Sequence, residues 1–270
     1  MSKESAPFVV IGLFFLGFIL GVHRYSKAAT AEQMQHIIGQ RSAAETARAE
    51  AQSARIAESM MRYKEVVAAE KTAIRAAAVA ALPGDPAKGK LNFMTCMACH
   101  GQKGEGMRAL NTPRLAGQAS WYLKMQLLKF KEGVRGAHPQ DITGMLMAPM
   151  AKLLTSEEAI DNVVAYIATL DPDKAADRGH GEPAAGKTPY AICATCHGRS
   201  AEGMELQKAP SLTGQHAWYL AKQLKNFKTG LRGYHEKDIE GKLMTPMAQM
   251  LQDDKAIDNL IAYIQSLSTE

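Results

Sequence analysis

The sequence has few aromatic residues, almost no strand-like pattern and only four cysteines, and each scarcity limits what the chain can be. Aromatic residues make up 6% of the 270 residues, whereas alanine and methionine are plentiful, which favours helices over sheets. Alternating β-branched residues, which mark strands, are nearly absent. The sequence therefore predicts an all-α fold, and its apolar content of 46% is sufficient for packed cores.

A block of basic residues is also missing, and this absence excludes one class of partner. The formal net charge is +5, but residues 1–83 carry 10 basic and 7 acidic side chains, which leaves 22 and 20 of the totals of 32 and 27 for the rest. Proteins that follow a phosphate backbone usually carry a cluster of lysine and arginine on one face. We therefore expect no nucleic-acid partner.

The first 27 residues contain a long apolar stretch. Residues 8–22 read FVVIGLFFLGFILGV, without a charge, and would form about 22 Å of helix at about 1.5 Å per residue. This length is short for a membrane span and long for the apolar part of a signal peptide. Because HRYSK precedes the first small-residue cleavage site, at Ala29, the sequence favours an uncleaved transmembrane anchor over residues 1–27 that contacts lipid. A cleaved signal peptide is the alternative.

Residues 28–83 predict one long helix. They are rich in alanine, glutamate, arginine and methionine, with a single glycine at Gly39 and no proline before Pro83. An unbroken helix of this length would reach about 80 Å. Its apolar positions are thinly spread and form only a weak heptad. We expect a helical spacer whose residues 28–82 can pair with a second helix, and a solvated helix is the alternative.

The remainder of the chain is one unit that occurs twice. An offset of 97 residues, from Cys96 to Cys193, aligns residues 96–170 with 193–267 without a gap, and about half of the aligned positions are identical. Residues 171–188 are rich in proline, glycine and charge and have the composition of a linker. We expect two domains, 84–174 and 175–270, each small enough to need additional stabilisation.

The four cysteines form two CxxCH motifs, one in each copy. Thiols at this spacing attach a c-type haem, and the next histidine is placed to bind its iron. The alternatives are a zinc site, a redox-active pair or a disulfide, but a four-cysteine zinc site needs no histidine after each pair, and redox CxxC motifs usually lie where a strand meets a helix. The motifs therefore predict two covalently bound haem c groups. Their attachment sites would be Cys96 and Cys99 in the first copy and Cys193 and Cys196 in the second, with His100 and His197 on the iron atoms.

The sixth position of each iron decides between electron transfer and chemistry on a bound substrate. A ligand that both haems use should recur at the same offset, and two pairs of methionines do so beyond the proximal region, inside LMAPMAKLL and LMTPMAQML. We expect Met147 and Met244 to be the ligands and Met150 and Met247 to be packing residues. An irregular loop, fixed by its proline, would carry each thioether to the distal face.

Other recurring side chains offer alternatives near the haems. His138 and His235 recur nine residues before the expected methionine ligands, so bis-histidine ligation is a second possibility and a loop histidine a third. Two further recurring pairs carry hydrogen-bond donors that suit haem propionates, although simple helix packing explains the tryptophans equally well. These pairs are Arg135 with Arg232 and Trp121 with Trp218.

Each unit resembles a class I cytochrome c domain. The patterns CxxCHG, PxLxGQxxWYLxxQLxxFxxGxRG, MxPMxxxL and IDNxxAYIxxL appear twice in the same order, and this tandem is similar to the dihaem cytochrome c-four family over residues 84–270. The resemblance implies His100 with Met147 on one iron and His197 with Met244 on the other. It also implies two lobes related by a pseudo-twofold axis, with propionates near their interface. The usual family member is soluble or peripherally bound, so the anchor and the long helix depart from that pattern.

The resemblance implies an electron carrier rather than an enzyme. We expect a dihaem cytochrome anchored in the bacterial inner membrane by one N-terminal helix, with its haem domains in the periplasm because covalent haem attachment implies export. Its donor would be a quinol:cytochrome c oxidoreductase and its acceptor a haem-copper oxidase or another reductase. The alternatives are the electron-transfer subunit of a sulfur-compound or alcohol dehydrogenase, and an assembly component whose haems belong to a fixed chain.

Overall fold

The computed structural model describes residues 7–171 and 176–267, with side chains for Arg24, Lys27 and residue 30 onwards. No strand forms in these ranges, which confirms the all-α prediction. The helices are α1 (Pro7–Ala80), α2 (Pro86–His100), α3 (Ser120–Lys131), α4 (Ile142–Lys152), α5 (Glu157–Thr169), α6 (Pro183–His197), α7 (Ala217–Lys228), α8 (Ile239–Gln249) and α9 (Asp254–Ser266).

The first compact unit spans residues 1–72, and all of its described residues belong to helix α1. Every described side chain in this unit is exposed, including those of Ile56, Met60 and Val67. Local pairs such as Glu58 with Arg62, 2.7 Å apart, lie one turn from each other. The predicted helix is thus present, whereas the side chains of the apolar stretch 8–22 fall outside the described residues. Within the part that is described, no helix is both long and apolar enough to cross a membrane.

The second unit, residues 73–270, contains both copies of the repeat. In the first copy α2 packs on α5, and in the second copy α6 packs on α9. Each copy has its own apolar core, centred on Phe93 and Ile160 in the first and on Tyr190 and Ile257 in the second. The CxxCH motif of each copy therefore lies on a helix that is held by the core.

The end of α1 that belongs to this unit is attached to the first copy. The Arg75 guanidinium donates to the backbone carbonyls of Ala168 and Leu170, at the end of α5, and it lies 3.5 Å from the Asp171 carboxylate. Because the two carbonyls end a helix, the cation also meets the negative end of the α5 dipole. These contacts fix where the chain enters the first copy.

Local residues determine where helix α2 begins and where it ends. The Asp85 carboxylate accepts hydrogen bonds from the Ala87 and Lys88 backbone amides, and Pro86 occupies the first turn. At the other end Gly101 takes φ of 84°, a value that favours glycine. The helix therefore stops directly after His100, and the chain turns back beneath that side chain.

Contact between α2 and α5 depends on a glycine. A Cβ at Gly89 would lie 1.8 Å from the Asn162 carbonyl oxygen, and one at Gly186 would lie 2.0 Å from that of Asn259 in the second copy. The same asparagine side chains accept from the backbone amides of Asp85 and Glu182, so they hold the start of each haem-motif helix.

We expect Gly89→Ala to destabilise the first copy by about 3 kcal/mol, because α2 and α5 must separate to admit the methyl group. Thermal unfolding followed by the absorption of each haem would measure the loss. Gly39→Ala is the control, since a Cβ at this helical position meets nothing within 4 Å and should leave both copies unchanged. An unaltered melting temperature for Gly89→Ala would contradict the close packing.

Two expectations about chain conformation are wrong. The segments that carry the candidate methionines are helices α4 and α8, with Pro149 and Pro246 inside them, and not irregular loops. The linker is shorter than residues 171–188, because α6 already begins at Pro183. Proline suits the first turn of a helix, so Pro183 starts α6 and does not belong to the linker.

Candidate functional site

Each CxxCH motif occupies the last turn of its helix. Cys96, Cys99 and His100 lie at i, i+3 and i+4 on α2, so their side chains share one face. Cys193, Cys196 and His197 repeat this arrangement on α6. Both faces line the same largely apolar cavity of about 440 Å³, which runs between the two copies of the repeat. The two candidate haem sites are therefore adjacent.

The two motif histidines are fixed by hydrogen bonds from one ring nitrogen. The Nδ1–H of His100 donates to the Pro113 carbonyl at 3.0 Å, and that of His197 donates to the Pro210 carbonyl at 2.8 Å. This tautomer leaves Nε2 available as a metal ligand. Burial lowers the pKa of both imidazoles, although the bond to the carbonyl opposes that shift, so the neutral form that a metal ligand needs is favoured.

None of the four cysteines takes part in a disulfide, so all four are available for covalent attachment of haem. Burial raises the pKa of the Cys96 thiol to about 11, and burial also raises that of Cys193. A buried neutral thiol facing an apolar cavity is consistent with a thioether-forming position and not with a four-thiolate metal site. Within the described residues no group of histidine, cysteine and carboxylate side chains could hold a metal ion. Each copy supplies two thiols and one histidine, and this donor set fits one haem per copy.

The candidate distal ligands line the cavity from α4 and α8. Met147 and Met244 are half-buried there, and Met150 and Met247, one turn further along, also line it while remaining 40% exposed. A side chain with that exposure sits at the rim of the cavity, whereas the first pair is more enclosed. The more enclosed pair, Met147 and Met244, is the one that the sequence predicts as iron ligands.

A polar network crosses the boundary between the copies inside this cavity. The Arg135 guanidinium donates to the Tyr219 hydroxyl at 3.0 Å and to Gln126 at 2.7 Å, and Arg232 donates reciprocally to Tyr122 at 2.9 Å and to Gln223 at 2.8 Å. Neither guanidinium forms a salt bridge within the described ranges. Two such cations lining a cavity fit the carboxylates of two haem propionates, as expected from the sequence.

The guanidinium groups also affect their tyrosine partners. Burial alone would raise the pKa of the Tyr122 hydroxyl, but the charges of Arg232 and Arg135 and the hydrogen bond from Arg232 outweigh burial and lower that pKa. Sequence reasoning missed the tyrosines and the glutamines. Their recurrence at the 97-residue offset was the signal that could have found them.

One ion-pair cluster at the boundary breaks the symmetry. The Lys129 ammonium of the first copy lies 2.5 Å from both the Asp238 and the Glu240 carboxylates of the second. The positions equivalent to Lys129 and Glu240 are Asn226 and Thr143, so the cluster has no counterpart. A comparison of positions 97 residues apart therefore could not reveal this cluster.

We expect Lys129→Met to destabilise the second unit by about 3 kcal/mol, because the buried Asp238 loses its cation. Denaturant unfolding of the protein with both haems attached would measure the change in the free energy of unfolding. Lys225→Met removes a similar but exposed pair with Asp254 and should cost less than about 1 kcal/mol. Equal losses in the two variants would show that the cluster behaves as an ordinary surface pair.

Two of the alternatives drawn from recurring residues do not lie at the cavity. Trp121 and Trp218 do not line the cavity, and the Trp218 indole donates to the Asp177 carboxylate at 3.0 Å, so they are not propionate donors. His138 and His235 also lie outside the cavity lining, and each accepts from a backbone amide two residues further on. Both histidines are therefore loop residues, and bis-histidine ligation is not supported.

Taken together, a helical tandem with one thiol pair and one fixed histidine per copy defines a c-type cytochrome with two haems. The cytochrome c family model matches residues 86–171 and 183–268. Cytochrome c4 of Azotobacter vinelandii is 34% identical over 68% of this chain and 90% of its own length. The solved structure of reduced recombinant cytochrome c4 from Pseudomonas stutzeri has 31% identity and a TM-score of 0.51, and it covers 67% of this chain and 98% of its own.

A second kind of relative is described by its role as an electron acceptor. A protein of Stutzerimonas stutzeri described as a thiosulfate dehydrogenase electron acceptor is 31% identical over 60% of this chain and 74% of its own length.

The chain belongs to the cytochrome c family and, within it, to the dihaem cytochrome c4 proteins. It carries two covalently bound haem c groups, attached at the two CxxCH motifs. It is an electron carrier and not a catalytic enzyme.

Proposed function

We propose that each haem iron of this electron carrier has one histidine and one methionine as its two axial ligands. The ligands would be His100 with Met147 in the first copy and His197 with Met244 in the second. The support is that all four side chains line one cavity while Nδ1 of each imidazole is already occupied. A haem with two protein ligands offers no open position for a substrate and exchanges electrons.

The residues of the chain supply the environment in which that exchange occurs. The apolar cavity wall excludes water, which favours the reduced, less charged iron. The Pro113 and Pro210 carbonyls orient the imidazoles, and Arg135 and Arg232 face the space where propionates would lie. An optical titration of the loaded protein tests the assignment. Two high-potential waves and no change in the spectrum of the reduced form under carbon monoxide are expected, whereas a carbon monoxide complex would show an open iron.

We further propose that the protein is tethered to the inner membrane and faces the periplasm. Its support is the uncharged stretch 8–22, followed by the long helix, together with c-type haem attachment. Separation of cell fractions tests the tether, since alkaline carbonate should leave the haem stain in the membrane pellet and detergent should release it. Release by carbonate alone would contradict a tether, and mass spectrometry of the N-terminus would identify a cleaved signal peptide.

As its physiological partners we propose respiratory redox proteins. A quinol:cytochrome c oxidoreductase would be the donor, and a haem-copper oxidase or another reductase the acceptor. The proposal follows from the carrier function and from the proposed ligation, in which neither haem iron has an open position for a substrate. Stopped-flow reduction by the purified oxidoreductase, followed by reoxidation on mixing with the oxidase, would test both steps. Rates that do not rise with partner concentration would exclude these partners.

A second candidate function has a specific observation in its favour. The relative from Stutzerimonas stutzeri is described as a thiosulfate dehydrogenase electron acceptor, and so we propose as the alternative that this chain accepts electrons from a sulfur-compound dehydrogenase. Mixing the oxidised protein with thiosulfate and a purified thiosulfate dehydrogenase should then reduce both haems. An alcohol dehydrogenase with its own substrate serves as the control donor, and equal reduction by both enzymes would show that the transfer is unspecific.

A further inference from the structure

A glutamine of the second copy makes a two-point contact with the backbone of the first. The Gln215 side chain accepts from the Arg114 amide at 3.0 Å and donates to the Arg114 carbonyl at 3.0 Å. The Arg114 side chain returns the contact by donating to the Gly214 carbonyl at 3.1 Å. Gln215 is 8% exposed and Arg114 is 6% exposed, so water competes little for these bonds.

Arg114 directly follows the residue that fixes the proximal histidine. The Pro113 carbonyl accepts the Nδ1–H of His100, and this carbonyl belongs to the same peptide unit as the Arg114 amide. Gln215 therefore hydrogen-bonds one side of the peptide whose oxygen holds His100. A peptide that donates its N–H to an acceptor also becomes a better acceptor at its oxygen, because hydrogen bonds in a chain polarise one another.

The same loop is confined from two further directions. Gly106 takes φ of 83°, and a Cβ there would lie 2.7 Å from the Arg114 nitrogen, so the backbone has little space on that side. His216 donates from Nε2 to the Glu105 carbonyl at 2.7 Å and accepts at Nδ1 from the Asp177 amide at 3.0 Å. Gln215 and His216 thus hold both sides of the loop beneath the first haem site.

The equivalent contact, which the first copy makes with the proximal loop of the second, has fewer hydrogen bonds. Gln118, the equivalent of Gln215, donates to the Ser211 carbonyl at 3.0 Å. Both glutamine oxygens accept from the next backbone amide, but only that of Gln215 also accepts from an amide of the other copy, that of Arg114. The residue equivalent to His216 is Ala119, which has no side-chain hydrogen bond to offer. The second copy therefore holds the proximal loop of the first more firmly than the first holds that of the second.

We propose that Gln215 is a positioning residue for the proximal ligand of the first haem, acting from the neighbouring copy through the peptide between Pro113 and Arg114. The proposal rests on the ligand role of His100 proposed above. A stronger bond to Nδ1–H makes an imidazole a more basic ligand, which stabilises ferric iron. Gln215 thereby lowers the potential of the first haem and makes it depend on how the second copy is docked.

Gln215→Leu in the loaded full chain tests the proposal, with Tyr234→Leu as the matched control. Tyr234 also contacts the other copy, through His138 at 4.7 Å between ring centroids, but both rings lie outside the cavity lining. We expect Gln215→Leu to raise the potential of the first haem, with a change of up to about tenfold in its reduction equilibrium, or about 59 mV for one electron. The potential of the second haem should stay unchanged in both variants.

Exchange of the His100 Nδ1 proton provides a readout that a general loosening of the structure would not give. Nuclear magnetic resonance should show exchange of that proton accelerated about tenfold in Gln215→Leu, with no change at His197, since one bond of about 1.4 kcal/mol is weakened. Gln118→Leu should leave the His197 proton unaltered, because Gln118 donates to the Ser211 carbonyl and not to the peptide whose oxygen holds His197. Equal shifts of both haems, or an unaltered His100 proton, would overturn the proposal.

Failure of the ligand assignment would be separately visible. In the oxidised wild-type protein, ring protons of an imidazole bound to ferric iron are displaced far outside the ordinary spectral range. Absence of such displaced signals for His100 would contradict the ligand role itself. Their presence, together with an unaltered potential in Gln215→Leu, would contradict only the role of Gln215.

Discussion

Replacing Met244 by histidine should lower the reduction potential of the second haem by on the order of 0.1 V or more, because axial ligands tune haem potentials over about 0.8 V and the thioether favours ferrous iron. Only one of the two waves in a spectroelectrochemical titration should move. The sulfur-to-iron charge-transfer band of the oxidised protein should lose about half of its intensity. The expected change is large since the proposed ligand, a neutral and soft sulfur, is exchanged for a more basic nitrogen.

Met247→Leu is the matched control for this variant. Met247 lies one turn from Met244 on α8 and lines the same cavity, but its greater exposure suits packing. Its replacement should leave both waves where they are. A shift in Met247→Leu with none in Met244→His would reverse the assignment for this copy, and Met147 and Met150 would then need the same comparison.

Replacing both Cys193 and Cys196 by alanine should remove the second haem and with it the folding of the second copy. Side chains that pack against this core, such as Leu212 and Leu224, line the cavity and are only partly buried by protein, so the haem completes their burial on one side. Without the haem these side chains would face an open space, and each would lose part of the roughly 1.5–3 kcal/mol that full burial of such a side chain contributes to folding. We expect one haem per chain by mass spectrometry and a single remaining thermal transition by calorimetry.

The equivalent variant in the first copy, with Cys96 and Cys99 replaced, provides the comparison. It should retain the second haem and lose the first. Any residual binding without a covalent link would appear as haem that acidified organic solvent extracts. A chain that keeps two thermal transitions after losing one haem would show that the copy folds on its own core.

Features encoded in adjacent residues were predictable from the sequence. The CxxCH motifs specify both the attachment and the histidine, and the helical content follows from composition. The repeat also predicted that Arg135 and Arg232 face the haem region, where the structure places them. Contacts between the copies were not predictable, because recurrence shows that Tyr122 and Tyr219 have equivalent positions but not that each one bonds the arginine of the other copy.

Two errors have physical explanations. Pro149 suggested a loop, since proline removes the hydrogen bond to the carbonyl four residues earlier, yet α4 continues through it and loses only that one bond. Lys129 was overlooked because a filter based on repetition rejects residues that differ between copies. Asymmetric residues are those that distinguish the two haem environments, so such a filter is least informative at the boundary between them.

The reciprocal bonds between Arg135 and Tyr219 and between Arg232 and Tyr122 have an evolutionary consequence. An interface in which residue i meets j and j meets i is the kind that forms between two identical chains about a twofold axis. A single-copy ancestor could have made these two contacts as a homodimer before its gene was duplicated and fused. Fusion then freed each half to diverge, and Lys129, Asp238 and Glu240 form a contact that no symmetric dimer could restrict to one side.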